Sequence, residues 1–261
     1  MSGRHFIHNV DRGHPITRGL IEGVSVVHKF GAGTVGTTYA PIARGAIYRT
    51  PQVSAATTLR VKAGNINDTA AGSGARAVTL IGINSSGEEI EETIATNGTS
   101  AGTASTNSFM RIFRAYISAS GTYATQSVGS HAADVVIENS AGTEDWATIA
   151  LDGFPMGQTE IGAYTIPIGK TGYIQDINLT VDASKSTSII GFRRNNILET
   201  AAPYSAMRSF FEAIAITGDI DFRPSTPIGP FPALTDIGFM AKVGATTGTV
   251  EVNFEIILID S

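Results

Sequence analysis

Two alternating sets of residues over positions 249–260, one apolar throughout and the other polar up to Glu255, constrain the fold of this chain more than any other feature. The first set is Val250, Val252, Phe254, Ile256 and Leu258, and the second set is Glu251, Asn253, Glu255, Ile257 and Ile259. Because successive side chains of a strand point to opposite faces, the first set lies on one face and the polar residues on a wetter face. The same period recurs along most of the chain and predicts an all-β protein.

The composition limits the classes of function. Charged residues make up 16% of the 261 residues and the net charge is −5, against a usual charged share of about 25%. Nucleic acid is not a predicted partner, since backbone binding requires clustered Lys and Arg. The chain has no Cys, so disulfides and thiolate chemistry are excluded. No apolar run of about 20 residues and no signal-peptide core is present, so we predict no membrane partner and synthesis in the cytoplasm.

The spacing of strands and turns predicts three segments. Residues 1–50 form an N-terminal arm, in which residues 24–27 are the one strand-like run and glycines follow at 31, 33, 36 and 45. The arm has too few apolar residues for its own core, so it must lie on its own body or on another subunit. Residues 51–156 and 157–261 are predicted to form two antiparallel β-sandwich or jelly-roll units.

Hairpin patterns support the first unit. Residues 78–83, a turn at 84–87 and a return at 90–94 form one hairpin, and residues 134–138 with 146–151 form a second. Residues 109–117 are apolar on both faces and predict a central strand with one protected edge. Trp146 is predicted to lie in the core.

The second unit has comparable strand patterns. Residues 173–181, 188–192 and 210–216 are predicted strands, whereas residues 201–212 could instead form a short helix. Prolines between 224 and 232 predict an extended surface crossing with few backbone donors.

The glycines of residues 31–36 fit the dinucleotide-binding pattern G-x-G-x-x-G. That function requires a helix after the third glycine, so that the helix N-terminus meets the pyrophosphate. The following Thr37-Thr38-Tyr39-Ala40-Pro41 is a poor helix former. We therefore interpret the motif as a flexible connector and predict no cofactor.

Histidines and carboxylates form the other candidate sites. His5, His8, His14 and His28 could bind a metal, but an ordered arm at a subunit contact is the favoured interpretation, with Arg12 in the same role. Paired carboxylates could serve glycoside hydrolysis or bind a cation, but a solvated hairpin end or an ion-pair contact with a neighbour is the favoured interpretation. These are Glu88, Glu89, Glu91 and Glu92, and the pair Asp219 and Asp221.

Isolated arginines on otherwise neutral strands suggest contact residues. Arg111, Arg114, Arg193 and Arg194 have this setting. Guanidinium groups suit bidentate pairing in partly desolvated contacts, so we predict that these side chains anchor an interface or join two sheets.

Several short strings resemble structural proteins of tailed bacteriophages, particularly those of aquatic bacteria. They lie at residues 59–65, 68–76, 109–115 and 163–171, and in the late proline stretch that leads to Thr235-Asp236-Ile237. The resemblance covers about residues 59–260. It implies a β-sandwich virion protein and assigns no catalytic residue.

The pattern and the resemblance together predict a non-enzymatic virion protein. It would associate with itself, with a trimer as one closed form, and would bind the major capsid protein or another virion protein as a decoration or cement protein. One alternative is a tail fibre or spike module that presents aromatic residues to host-surface glycans: Tyr39, Tyr48, Tyr123 and Tyr204. Another is a carbohydrate-active enzyme that uses the carboxylates named above.

Overall fold

The computed structural model describes residues 15–16, 18–45, 48–51, 54–124, 129–151 and 156–261. Within these ranges the secondary structure is almost entirely β, and the strands pair antiparallel, which confirms the predicted fold class. The strands are β1 Val24–Val35, β2 Ala40–Pro41, β3 Thr57–Ala63, β4 Ala75–Ile83, β5 Glu89–Ala95, β6 Ser108–Phe109, β7 Arg111–Ser120, β8 Val135–Asn139, β9 Asp145–Ile149, β10 Ala163–Thr165, β11 Lys170–Val181, β12 Thr187–Arg194, β13 Arg208–Ile216, β14 Gly218–Phe222, β15 Ile228–Phe231, β16 Asp236–Val243 and β17 Gly248–Asp260.

Sheet A contains the alternating strand that the sequence predicts. Its strand order is β1-β17-β11-β14, and β15 also pairs with β11. The inner face of β17 is buried from Val250 to Leu258, whereas Glu251 and Asn253 are exposed on the outer face. The period of two is therefore confirmed side chain by side chain.

Sheet B faces sheet A and completes a sandwich. Its order is β10-β16-β12-β13, with β2 paired to β16. Leu179, Ile189, Phe239 and Phe254 belong to one core cluster between the sheets, and the last two rings lie 5.0 Å apart between centroids. Fully burying each such side chain contributes roughly 1.5–3 kcal/mol.

A second pair of sheets forms the other sandwich. Sheet C has the order β6-β3-β8-β9 and sheet D the order β5-β4-β7. Leu59, Leu80, Ile137 and Trp146 share its core. Both predicted hairpins are present, as β4–β5 and β8–β9, and Trp146 is buried as predicted. The strand predicted as central, β7, is instead an edge strand of sheet D, and Tyr116 in it forms a bridge with Gln158.

Part of the predicted arm is built into sheet A. β1 pairs with β17 over twelve residues, from Val24–Ile259 to Val35–Gly248, so this part of the arm lies on its own body. The limits at 50 and 156 stay predictions as domain boundaries; strands β3–β9 lie before residue 156 and β10–β17 after it.

The glycines of residues 31–36 have a packing role that the sequence interpretation missed. Gly31 and Gly33 lie within β1 and not in a flexible connector. A Cβ at Gly31 would lie 2.2 Å from the nitrogen of Gly162 and 2.4 Å from the carbonyl oxygen of Ile42. The absent side chain lets two backbone segments cross. Bend residues and the short β2 follow this motif, not the helix that a pyrophosphate site requires.

Two further points of the sequence analysis are decided by the structure. Residues 201–207 are not helical and β13 begins at Arg208, so the predicted strand at 210–216 is present and the alternative of a short helix at 201–212 is not. The proline-rich connection is also not a simple surface crossing, because it contains β15, which pairs with β11.

Candidate functional site

The two sandwiches meet at a junction with a continuous core. Ile83, Met110 and Phe113 come from sheet D and its flank, yet they belong to the core cluster of the sandwich formed by sheets A and B. The segment before β10 runs beside β7, where the amide of Ala115 donates to Oγ1 of Thr159 at 2.9 Å. The junction is therefore packed and hydrogen-bonded.

A buried ion pair crosses this junction. Arg111 opens β7 and Asp236 opens β16, and Nη2 of Arg111 donates to Oδ2 of Asp236 at 2.9 Å. The two side chains are 1% and 0% exposed. Arg111 also donates from Nη1 to the carbonyl of Met110 at 3.0 Å. It therefore anchors the two sandwiches to each other inside one chain, and its buried side chain is not available to a second molecule.

Two hydroxyl groups complete the environment of Asp236. Oγ1 of Thr165 donates to Oδ1 of Asp236 at 2.6 Å, and the hydroxyl of Tyr48 is hydrogen-bonded to that of Thr165. Burial, followed by the Asp236 carboxylate, raises the pKa of Tyr48 well above its usual value. Tyr48 is 5% exposed, so the expectation that it faces a glycan is wrong.

The other predicted arginines have different positions. Arg114 is half-buried on β7, and its Cζ lies 5.6 Å from the centroid of the Phe30 ring. Arg193 and Arg194 end β12 half-buried, and Arg194 is in register with Asp236 on β16. Their role in a contact between molecules stays a prediction. The predicted arm residues His5, His8, Arg12 and His14 lie outside the described residues.

A cleft lies between β1 and sheet D, with a volume of about 300 Å³. We call it the Lys29 cleft, and its lining includes Val27, Lys29, Glu89, Phe113, Arg114 and Tyr164. Phe113 and Tyr164 form one wall, with ring centroids 4.4 Å apart. The cleft thus has apolar walls and a few charged groups.

Lys29 is the unusual group in this cleft. It is 6% exposed, and its ammonium donates to the carbonyl of Phe113. Burial, and then the neighbouring Arg114, lower the pKa of Lys29 to about 7. Nearby, the hydroxyl of Tyr164 donates to Oε2 of Glu89 at 3.3 Å, and burial followed by Glu89 raises the pKa of Tyr164.

The outer face of sheet A has a polar end and an apolar end. Beyond Glu255 the outward positions of β17 become Ile257 and Ile259, which pair with Val26 and Val24 on β1. Tyr173 on β11 is in register with Ile257. We call these five residues the apolar patch. Ile259 is 39% exposed and the other four are half-buried.

The carboxylates proposed for catalysis support local structure or face solvent. Glu92 accepts hydrogen bonds from the amides of Thr106 and Asn107 at 2.6 and 2.8 Å. Asp219 and Asp221 are exposed on the edge strand β14. Among the described residues, no three His, Cys, Asp or Glu side chains are grouped so as to hold a metal ion. In the same part of the chain, no helix has the length and apolar character needed to cross a membrane.

Sequence reasoning missed Lys29, Thr165 and Asp236. The sequence could have indicated Lys29: it lies two residues after Val27, so it is on the same inward face if the strand continues past residue 27, as it does. The predicted strand ended too early to show this.

Comparisons with known proteins give little further information. No family model matches the chain, and no curated protein matches it. Two solved structures are similar to it at 10% identity, and each covers 92% of this chain. They are a structure of the infectious bursal disease virus Gt strain, with 73% of that chain covered and a TM-score of 0.24, and the structure of T=1 particles derived from infectious bursal virus, with 74% covered and a TM-score of 0.19. TM-scores this low support no conclusion about the fold or the function of the present chain.

Proposed function

We propose that this chain is a non-enzymatic structural protein of a virion, made in the host cytoplasm, that associates with itself and binds the capsid shell as a decoration or cement protein. A tailed bacteriophage is the proposed source. The observation that carries the proposal is the apolar patch on the outer face of sheet A.

The position of the patch favours contact with another protein. Contiguous exposed apolar surface commonly marks an interaction site. Beside it on the same face lie Glu255 and His28, whose carboxylate and ring nitrogen are 3.6 Å apart, and farther along the exposed Asn253. An apolar centre with a polar margin is the usual anatomy of a protein interface.

The junction between the sandwiches supports a passive mechanical role. The buried pair Arg111–Asp236 and the shared core hold both sandwiches in one arrangement. A rigid body keeps its contact surfaces in fixed relative positions, which lowers the entropy lost on assembly. The resemblance to phage virion proteins agrees with this role.

Self-association is tested by analytical ultracentrifugation of the purified chain. We expect a discrete oligomer, dissociation of that oligomer by Ile257→Asp, and no change with Asn253→Asp, a matched control on the same face of β17. Circular dichroism verifies that each variant is folded. A wild-type chain that stays monomeric at about 100 μM, well above a typical micromolar Kd, contradicts the proposed use of the patch.

Shell binding is tested on virions with gold-labelled antibodies raised against the purified chain. The expected result is labelling over the heads. Labelling confined to tails or fibres contradicts the assignment to the shell, and a chain missing from purified virions contradicts the structural role itself.

A further inference from the structure

We propose that the Lys29 cleft binds a small organic anion, a monocarboxylate on a compact apolar body, with its carboxylate paired to the Lys29 side chain. This inference concerns an internal cleft and does not rest on the proposed role in a virion.

The first support is the unmatched charge of Lys29. Its side chain is more than nine-tenths buried, and the carbonyl of Phe113 is its hydrogen-bond acceptor. Within the described residues no carboxylate lies within ion-pair distance of it. A lysine ammonium has three donors, so this amine retains capacity to bind an acceptor that enters the cleft.

The second support is the sign of the neighbouring charges. Arg114, the second basic side chain of the lining, is also cationic and helps to lower the pKa of Lys29. Burial of a charge is costly unless an opposite charge accompanies it. Glu89 is already bonded to Tyr164. An entering carboxylate would therefore provide the counter-ion that the protein's own groups do not give Lys29.

The third support is the shape and lining of the cleft. A volume of about 300 Å³ lies at the lower end of the range of roughly 300–1,000 Å³ for small-molecule pockets. Val27, Ile81, Phe113 and Tyr164 supply apolar walls. Because Glu89 is also in the lining, a second negative charge on the ligand would be repelled, which favours a monoanion.

Binding should depend on pH through Lys29. Within the cleft the charged or titratable groups near it are His28 on β1, Arg114 on β7, Glu89 on β5 and Tyr164 on β10. A neighbouring cavity that Lys29 also lines has Asp176 on β11 and Glu255 on β17. The pKa of Lys29 in the free protein is about 7, and a bound carboxylate favours the ammonium form. Above pH 7 binding therefore takes up a proton, and affinity should fall by up to about tenfold per pH unit.

The test compares benzoate and hexanoate with the matched neutral alcohols, benzyl alcohol and hexanol, by isothermal titration calorimetry at pH 6 and pH 8.5. We expect at least one carboxylate to bind at pH 6 at least tenfold more tightly than its alcohol, and more weakly at pH 8.5. Lys29→Met should reduce carboxylate affinity at least tenfold and leave that of the alcohol unchanged. Lys62→Met, which alters an exposed lysine of β3, should change neither.

A second readout is the pH titration of the Lys29 amine, observed by ¹⁵N NMR. The pH at the midpoint of this titration should rise when the carboxylate is added. Equal binding of acid and alcohol overturns the proposal, as does full carboxylate binding by Lys29→Met. A Kd above about 10 mM, weaker than about −3 kcal/mol, for both carboxylates overturns it as well.

Discussion

Two buried cations at the same junction have opposite surroundings. Arg111 meets the carboxylate of Asp236, whereas Lys29 meets a carbonyl and a second cation. The guanidinium keeps its charge at all ordinary pH values, but burial brings the pKa of Lys29 to about 7. Burial of a cation thus gives a permanently charged ion pair in the case of Arg111 and a group that titrates near neutral pH in the case of Lys29.

The largest expected effect is the loss of stability when the buried ion pair Arg111–Asp236 is broken. Arg111→Met leaves the Asp236 carboxylate buried without its partner, which should lower the free energy of unfolding by about 3–5 kcal/mol. Guanidinium denaturation followed by circular dichroism measures this. The double variant Arg111→Met/Asp236→Leu should recover part of the loss, since both charges are then removed. If Arg111→Met lowers the free energy of unfolding by less than about 1 kcal/mol, the pair contributes no more than an exposed salt bridge, and its proposed role in holding the two sandwiches together is wrong.

The next effect is a pH dependence specific to Lys29. Its pKa is about 7 in the folded chain and about 10.4 in the unfolded chain. Between these values the unfolded chain binds more protons, so stability due to this group rises with pH by up to about 1.4 kcal/mol per unit. Denaturation of wild type and Lys29→Met at pH 7, 8 and 9 should show this slope in their difference. A difference independent of pH means that Lys29 titrates normally.

The smallest expected effect concerns the hydroxyl chain beside Asp236. Tyr48→Phe keeps the ring and removes the donor to Thr165, so a loss of about 1 kcal/mol is expected. The matched control is Tyr39→Phe, because Tyr39 is 36% exposed. Equal effects of the two variants in chemical denaturation would show that the Tyr48 hydroxyl contributes nothing specific.

The features that could be predicted from the sequence are those set by residues close together along the chain. The alternation of β17 and the hairpin β4–β5 are local patterns, and both are present. The extension of β1 past Val27 was not predictable in the same way, because closely spaced glycines in a sequence usually indicate a loop. Here Gly31 lies within the strand, where the backbone passes too close to Gly162 for any side chain. The need for glycine there arises from a tertiary contact.

The candidate site depended even more on distant contacts. Arg111 was predicted to anchor an interface or to join two sheets, but its partner Asp236 lies 125 residues away and carries no local signal. The Lys29 cleft combines β1, sheet D and Tyr164 of β10. Periodicity can place each side chain on a face of its strand, but it gives no information on which strands meet.

The pairing of β1 with β17 has a consequence for biosynthesis. These partners are separated by about 220 residues, so β1 leaves the ribosome long before the strand that covers it exists. During that interval its free backbone groups and inward valines have no native neighbour within sheet A. In a crowded polysome the β17 of an adjacent nascent chain is an equivalent partner, and exchange of this strand would give intertwined copies.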